Sequence, residues 1–465
     1  MASQSNPELH VAILAAGKGT RMKTLRPKLL HPLAGLPLVQ HALRTARALR
    51  PSTITLVVGY QADRLKAALA GDADVAFALQ EPQLGTGHAV LQVEPALRGR
   101  SGTLVLLYGD VPLLRPETVR RLVDHHVSAG AAATLVTAHI DRPFGYGRIL
   151  RRDGHIAGIV EERDATPDER AITEINSGIW AFAIEGLFDA LRGLETDNDQ
   201  GEYYLTDLVA AFRNAGRTVE TVVLEDATEI RGVNSQQELA EMAALLRASR
   251  NARLMGAGVT MIDPATTYVD ADVEVGPDTI LHPAVSLEGK TRIGARCVIE
   301  SGARVVDSIV GDGTAVKNHS IVEQSIVGPD VQLGPFARLR PGSEVRAGAH
   351  VGNFVELKKT VLGERSKASH LTYLGDATIG ADVNVGAGTI TCNYDGVRKH
   401  PTVVEDHAFI GSDSQLVAPV TVGHGAYVAA GSSITEDVPP GALAIARGRQ
   451  VNKIGWAEKK RKNNR

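Results

Sequence analysis

The chain has 465 residues, with 50 Lys and Arg against 53 Asp and Glu and a net charge of −3. That near-neutral balance does not point to a bulk polyanion or nucleic-acid binder, and at about 100–200 residues per domain the length implies two to four domains. Only Cys297 and Cys392 are cysteines, which excludes a disulfide framework or structural zinc site and fits a reducing cytoplasm. The opening MASQSNPELH has no charged-then-apolar signal pattern, and no stretch approaches the ~18 apolar residues that span a bilayer.

In chain order, residues 10–16 read as a buried strand, 38–49 as a helix and 53–58 as a strand. Residues 104–107 form an apolar strand ending in Tyr108-Gly109-Asp110. Apolar runs alternating with helical stretches predict a mostly parallel, Rossmann-like α/β sheet, extending to about Asn234. Ser235 and Glu238 form a capping box, and Leu239, Met242 and Leu246 recur at helical spacing, so 236–255 is expected to be one linker helix.

Beyond it the period changes. Val269, Val275, Leu281, Leu287, Ile293, Ile299 and Val305 fall six apart, as do Leu333, Leu339, Val345, Val351 and Leu357, and Ile410, Leu416, Val422, Val428 and Ile434. Six suits neither an α-helix nor a hairpin meander. It predicts a left-handed parallel β-helix of hexapeptide repeats, aliphatic residues inward and three repeats to a coil. The period slips near 305–310, breaks over 358–370 and again over 391–401; the last two are expected to be loops on the binding surface. The expected domains are 1–235, a linker helix over 236–256, and 257–465.

The first motif is Leu14-Ala15-Ala16-Gly17-Lys18-Gly19-Thr20-Arg21-Met22, followed by Pro27-Lys28. Gly17 and Gly19 let backbone N–H groups approach an anion and form a phosphate nest. The string is not a Walker loop and lacks the third glycine of a dinucleotide fingerprint. Gly-x-Gly alone also fits a plain strand–helix turn. The whole string, with Arg21 and Lys28 at this spacing, resembles the sugar-nucleotide pyrophosphorylase family. Gln80 and the run Gln83-Leu84-Gly85-Thr86-Gly87-His88 supply a second Gly-rich loop. Asp110 ends a buried strand, where open α/β sheets bind ligands. By itself it would also fit a turn or cap; beside a nucleotide loop it reads as a ligand of Mg²⁺, which takes one or two protein oxygens plus phosphates and water.

The resemblance implies Asn234 as the second metal ligand and places Gly147, Glu161 and Asn176 around the sugar. Without it, Glu161 reads as a solvated charge and Asn176 as a turn residue. The implied reaction is attack of a sugar-1-phosphate oxygen on the α-phosphorus of UTP with loss of pyrophosphate. No side-chain base is needed, so catalysis rests on positioning and charge neutralisation, with Arg21 and Lys28 on the triphosphate.

The second half carries Arg340-Pro341-Gly342, Asn353-Phe354-Val355-Glu356-Leu357-Lys358-Lys359, Ser369-His370-Leu371-Thr372-Tyr373-Leu374-Gly375-Asp376, Asn384-Val385-Gly386-Ala387-Gly388 and Asn393-Tyr394-Asp395-Gly396. In this order they resemble the bifunctional N-acetylglucosamine-1-phosphate uridyltransferase / glucosamine-1-phosphate acetyltransferase family, and with the first motifs the resemblance covers nearly the whole chain. It implies His370 as the general base on the 2-amino group of glucosamine-1-phosphate. Arg340 and Lys358 would hold the sugar phosphate, though each also reads as a solvated charge. Tyr373 and Asn384 would contact the sugar, and Ala387, Asn393, Tyr394, Ser412, Ala430 and Arg447 would bind acetyl-coenzyme A. Proximity in the motif suggests Glu356 as the residue that orients His370. The family further implies a homotrimer through the β-helix with shared acetyl sites, and a product, UDP-N-acetylglucosamine, for peptidoglycan and lipopolysaccharide.

Two other readings compete. A single-function nucleotidyltransferase with a regulatory or trimerising solenoid is opposed by the strings at 370–373 and 393–396. A scaffold beside a degenerate nucleotide domain is opposed by intact Arg21, Lys28, Asp110 and Asn234. The basic tail from Lys459 reads as a solvated terminus.

Overall fold

The computed structural model describes residues 8–463. The chain divides into two compact units between Leu246 and Arg247. The first unit is built on β1 (Leu9–Ala15), β2 (Thr53–Val58), β3 (Val75–Leu79), β4 (Thr103–Tyr108), β5 (Ala133–His139), β6 (Arg148–Arg152), β7 (His155–Val160), β8 (Glu174–Ala183) and β9 (Val219–Leu224). Its main sheet runs β9-β5-β8-β4-β1-β2-β3, with the β6–β7 hairpin hung on β8. β1 pairs in parallel with β2 and β4. These strands read as unbroken apolar runs because helices cover both faces: Val11 to Ile13 and Leu104 to Leu107 are all buried.

One strand departs from the expected direction. β8 is antiparallel to both β4 and β5. Its apolar pattern carries no information on direction; it follows the β6–β7 hairpin through residues 161–173, which hold only the one-turn helix Pro167–Arg170 rather than the long crossover that parallel neighbours need. The chain builds β1 to β3 on one side and then crosses β1 to lay down β4. Connections therefore leave the carboxyl ends of β1 and β4 in opposite directions and open a crevice between Ala15 and Tyr108.

The long helix spans Gln236–Gly256. The Ser235 hydroxyl accepts from Glu238 N–H at 3.2 Å, but the Glu238 carboxylate reaches one residue further out than a capping box requires, accepting from Asn234 N–H at 2.6 Å. The same glutamate thus caps the helix and fixes Asn234. Leu239, Met242, Ala243 and Leu246 pack with Leu33, Leu38, Leu113 and Val233 in the first unit. In the second unit the Asn251 amide donates to the carbonyls of Pro264 and Thr267 at 2.8 and 2.9 Å.

The second unit is a parallel β-helix of three sheets with 11, 10 and 9 short strands. Each strand pairs with its counterpart one coil on: Ile280 with Val298, 18 residues away, then Val298 with Ala315, 17 away. Leu281, Ile299, Val316, Leu333 and Val351 stack in one fully buried column. Buried hydroxyls join the coils at the corners: Thr279 donates to Gly294 O at 2.8 Å and accepts from Cys297 N–H at 3.1 Å, and Thr314 repeats the pattern with Gly328 and Val331.

The break expected as a loop over 358–370 is not one. Strands Glu356–Lys358, Val361–Leu362 and Lys367–His370 stay in register, Val361 on Glu344 and Lys367 on His350. The side between Leu357 and Leu362 is one residue short, and the small Ala368 takes an inward position; both hide the period without interrupting the coil. The interruption at 391–401 is real, since Asn384 pairs with Phe409, 25 residues on.

In the first unit, His126 lies buried on the helix Pro116–Ser128 with Nδ1 3.0 Å from Thr134 Oγ1, and burial pushes its imidazole down to about 4 from 6.5. The unfolded chain therefore takes up the proton first, and the stability tied to neutral His126 is present above pH 6.5 and lost as pH falls towards 4. Thermal melts should show His126→Gln losing on the order of 1–2 kcal/mol less than wild type between neutral pH and about pH 4.5. Equal losses would contradict this.

Candidate active sites

The crevice of the first unit is a cleft of about 280 Å³ lined by Leu14, Ala15, Ala16, Gly17, Lys28, Gln80, Gly85, Thr86, Tyr108 and Asp110, with Leu29, Gln83, Ala89 and Glu202. β1 delivers Leu14 and Ala15, and its continuation turns away at Gly17. Gly109 N–H donates to Leu14 O at 3.0 Å, tying the two strand ends together. The buried Gln80 amide donates to Gly85 O at 2.9 Å and holds the second glycine loop against the sheet.

Lys28 Nζ stands 2.5 Å from Asp110 Oδ2 and 3.1 Å from Asn234 Oδ1. A carboxylate and an amide oxygen from distant parts of the chain thus converge on one cation. Among the described residues no group of three or more His, Cys, Asp or Glu could hold a metal. This oxygen pair suits a hard cation that completes its shell with phosphates and water.

The residues expected around the sugar also come together. Asn176 N–H donates to Gly147 O at 2.9 Å, and a Cβ added at Gly147 would lie 3.4 Å from the Glu161 carboxylate. Burial raises the Glu161 carboxyl above its ordinary value, against the hydrogen bond it accepts from Thr206 at 3.1 Å. Tyr108 is raised likewise, by burial and then by the charges of Asp110 and Glu161. Gly178 is required here: it has φ +79, and a Cβ would meet the Tyr108 ring at 2.7 Å. Arg21 stands apart, exposed on the turn Thr20–Met22 and outside the cleft lining.

On the β-helix, coil register brings residues about 17 apart in sequence side by side. Asn353 pairs with His370, and the His370 ring Nδ1 lies 2.7 Å from Asn353 Oδ1. This corrects the expectation for Glu356, whose register partner is Tyr373 and whose carboxylate accepts from Arg340 at 3.0 Å. Proximity along the chain misled because Asn353 and Glu356 lie on successive sides of one coil, in different sheets, and only Asn353 is in register with His370.

The same corner continues through Ala387, Ser412 and Ala430. Asp413 N–H donates to Ala387 O, Gly431 N–H to Ser412 O, and Arg447 to Ala430 O at 2.7 Å. Asn384 lies on the coil after Lys367. On the adjoining side Lys358 is 3.5 Å from Asp376, which also accepts from the Asn393 amide at 2.5 Å. Tyr394 is exposed and bridges to Lys399, closing the 391–401 interruption as a small hairpin; its hydroxyl donates to Gly396 O.

Four contributors escaped the sequence reading. Glu202 and Thr206 approach the first site from the turn that leads into the helix Leu208–Asn214. Asp376 reads in the sequence only as the end of the 369–376 string. The Lys399 amine of the hairpin lies beside that of Lys358, so the hairpin adds a second amine to the phosphate-binding candidate. A basic residue in the one true insertion was the available signal.

A family profile for the MobA-like NTP transferase domain matches residues 11–222. Profiles for the GMPPB C-terminal domain and the hexapeptide repeat of succinyl-transferase match residues 262–346 and 401–436. Similarity to relatives runs end to end. The chain is 53% identical to the bifunctional protein GlmU of Trichlorobacter lovleyi over 97% of this chain and 98% of that one. It is 52% identical to that of Pelobacter propionicus over 96% and 97%, and 51% identical to that of Geobacter metallireducens over 98% and 99%. A nucleotidyltransferase unit and a left-handed hexapeptide β-helix in one chain, matched along their whole length by bifunctional relatives, leave one conclusion: the chain belongs to the bifunctional N-acetylglucosamine-1-phosphate uridyltransferase / glucosamine-1-phosphate acetyltransferase family.

Proposed function

We propose that the chain makes UDP-N-acetylglucosamine in two steps. The β-helix acetylates glucosamine-1-phosphate from acetyl-coenzyme A, and the first unit joins the product to UTP with release of pyrophosphate. The observation that carries the acetyl step is the corner where His370 meets Asn353 in line with Ala387, Ser412 and Ala430. An amide Oδ1 only accepts, so Nδ1 carries the hydrogen and Nε2 keeps the lone pair that takes the proton from the sugar 2-ammonium. Arg340 and Lys358 hold the sugar phosphate, and Tyr373 and Asn384 its ring. Ala387, Asn393, Tyr394, Ser412, Ala430 and Arg447 hold the coenzyme.

In the uridyl step, Leu14 to Gly17, Gln80, Gly85, Thr86, Tyr108 and Gly109 seat the nucleotide, and Gly147, Glu161 and Asn176 seat the sugar. Lys28 and, from the adjoining turn, Arg21 neutralise the triphosphate. Asp110 and Asn234 would hold Mg²⁺, which when bound supplies charge neutralisation across the phosphates of both substrates. The chain's own part is alignment: the sugar phosphate is already a nucleophile and needs an in-line approach rather than a base.

We further propose functional domains over 1–235 and 257–465 joined by 236–256, a cytoplasmic location, where UTP and acetyl-coenzyme A are made, and a homotrimer through the β-helix. Exposed Phe336, Phe354 and Leu371 on the corner beside His370, with Phe336 stacked on Phe354, favour packing of copies against the acetyl site. Both cysteines are free, in keeping with a reducing setting, and among the described residues no helix is long and apolar enough to cross a membrane.

His370→Ala should lower acetyl transfer by ~10²–10⁴-fold and leave uridyl transfer from supplied N-acetylglucosamine-1-phosphate unchanged. Asn353→Ala should lower acetyl-transfer kcat by roughly 10–100-fold with little change in KM. Retention of more than about a tenth of the wild-type rate by His370→Ala contradicts its role as base. In the other half, Asp110→Ala should abolish uridyl transfer and spare acetyl transfer; pyrophosphate release near the wild-type rate contradicts the metal assignment.

A further inference from the structure

Lys28 sits where a metal's two oxygen ligands point. Its Nζ is 2.5 Å from Asp110 Oδ2 and 3.1 Å from Asn234 Oδ1, and the Lys28 and Asp110 side chains are only 13% and 17% exposed. A small hard cation binds such oxygens at about 2.0–2.1 Å, so the ammonium and the cation cannot share them. The lysine stem also touches the phosphate loop. A Cβ added at Gly19 would lie 2.8 Å from Lys28 Cβ and 3.5 Å from Cδ. The stem therefore runs between the loop that receives phosphates and the carboxylate, on a backbone held by the 3₁₀ turn Lys28–Leu30 after Pro27.

We propose that Lys28 has two stations. Without a divalent cation its ammonium neutralises Asp110 and fills the metal's place. When the cation enters with the nucleotide, Lys28 turns out onto the triphosphate beside Gly17 and Gly19. The displaced positive charge needs an anion to receive it, so metal and nucleotide enter together and each binds poorly alone. Binding of metal to the free protein is reduced by the fraction of molecules with the oxygens uncovered. This inference rests on the assignment of Asp110 and Asn234 as metal ligands.

The test uses the full chain without nucleotide and Mn²⁺ as probe, with free Mn²⁺ counted by electron paramagnetic resonance. With the uncovered state at roughly 1–10% of molecules, Lys28→Met should bind Mn²⁺ about 10–100-fold tighter than wild type. Lys18→Met, which removes a nearby charge of the loop, should change binding by less than about twofold. Asp110→Ala placed on Lys28→Met should remove the gain. A second readout needs no variant: saturating Mn²⁺ should expose the wild-type Lys28 amine, so that its labelling by an amine reagent, followed by mass spectrometry, rises several-fold. No tighter binding in Lys28→Met, or no rise in labelling, overturns the two-station reading. If Asp110→Ala leaves the gain intact, the metal assignment itself falls, which distinguishes the two failures.

Discussion

The register between neighbouring coils of the β-helix is the constraint on which the acetyl site depends. Each short strand pairs its backbone groups with the strand one coil on, mostly 17 or 18 residues away. The 391–401 interruption lengthens the coil to 25, and at the last coil Tyr427 pairs with Leu443, 16 away. Buried hydroxyls such as Thr279 and Thr314 fasten the corners. Any residue at one corner therefore lies beside its counterparts in the coils before and after. Asn353, His370 and Ala387 share a column for that reason alone, and their spacing is set by backbone hydrogen bonds rather than by side-chain choice. A polar site can stand on a surface of this kind because the backbone of the scaffold beneath it is paired coil to coil.

The first unit solves the same problem by topology. Reversal of strand order beside β1 opens a crevice that no single strand could make, and the two strand ends deliver Leu14 to Gly17 and Tyr108 to Asp110 to opposite walls. The long helix contributes through its cap: Glu238 holds Asn234 by its backbone N–H, while the Asn234 side chain faces Lys28. The charges of the site are handled differently: Lys28 pairs with Asp110, whereas Glu161 has only the neutral Thr206 hydroxyl as donor and its carboxyl is raised by burial.

Much of this was legible in the sequence for definite reasons. Inward aliphatics at a period of six have no other economical explanation, and phosphate loops need glycine where backbone must approach an anion. Direction and register were not legible. The pattern of β8 is the same for a parallel or an antiparallel strand. Asn353 as the partner of His370 becomes visible only once the coil length is known, and until then Glu356 is the nearer residue along the chain. The span 358–370 looked like an insertion because one side is a residue short and Ala368 is small. Glu202 and Lys399 lie in irregular segments, and Thr206 in the single 3₁₀ turn Leu205–Asp207, where neither period nor propensity speaks. Arg21 is prominent in its motif yet faces solvent in the structure.

The central claim is that one chain carries two consecutive transfers at separate sites. It is tested most directly by giving the purified chain glucosamine-1-phosphate, acetyl-coenzyme A, UTP and Mg²⁺ and following coenzyme A and pyrophosphate release together. The account predicts that pyrophosphate appears only after coenzyme A begins to be released and never exceeds it, and that omitting acetyl-coenzyme A abolishes both. Pyrophosphate release from glucosamine-1-phosphate and UTP without acetyl-coenzyme A, or coenzyme A release with none of the later pyrophosphate, would contradict it.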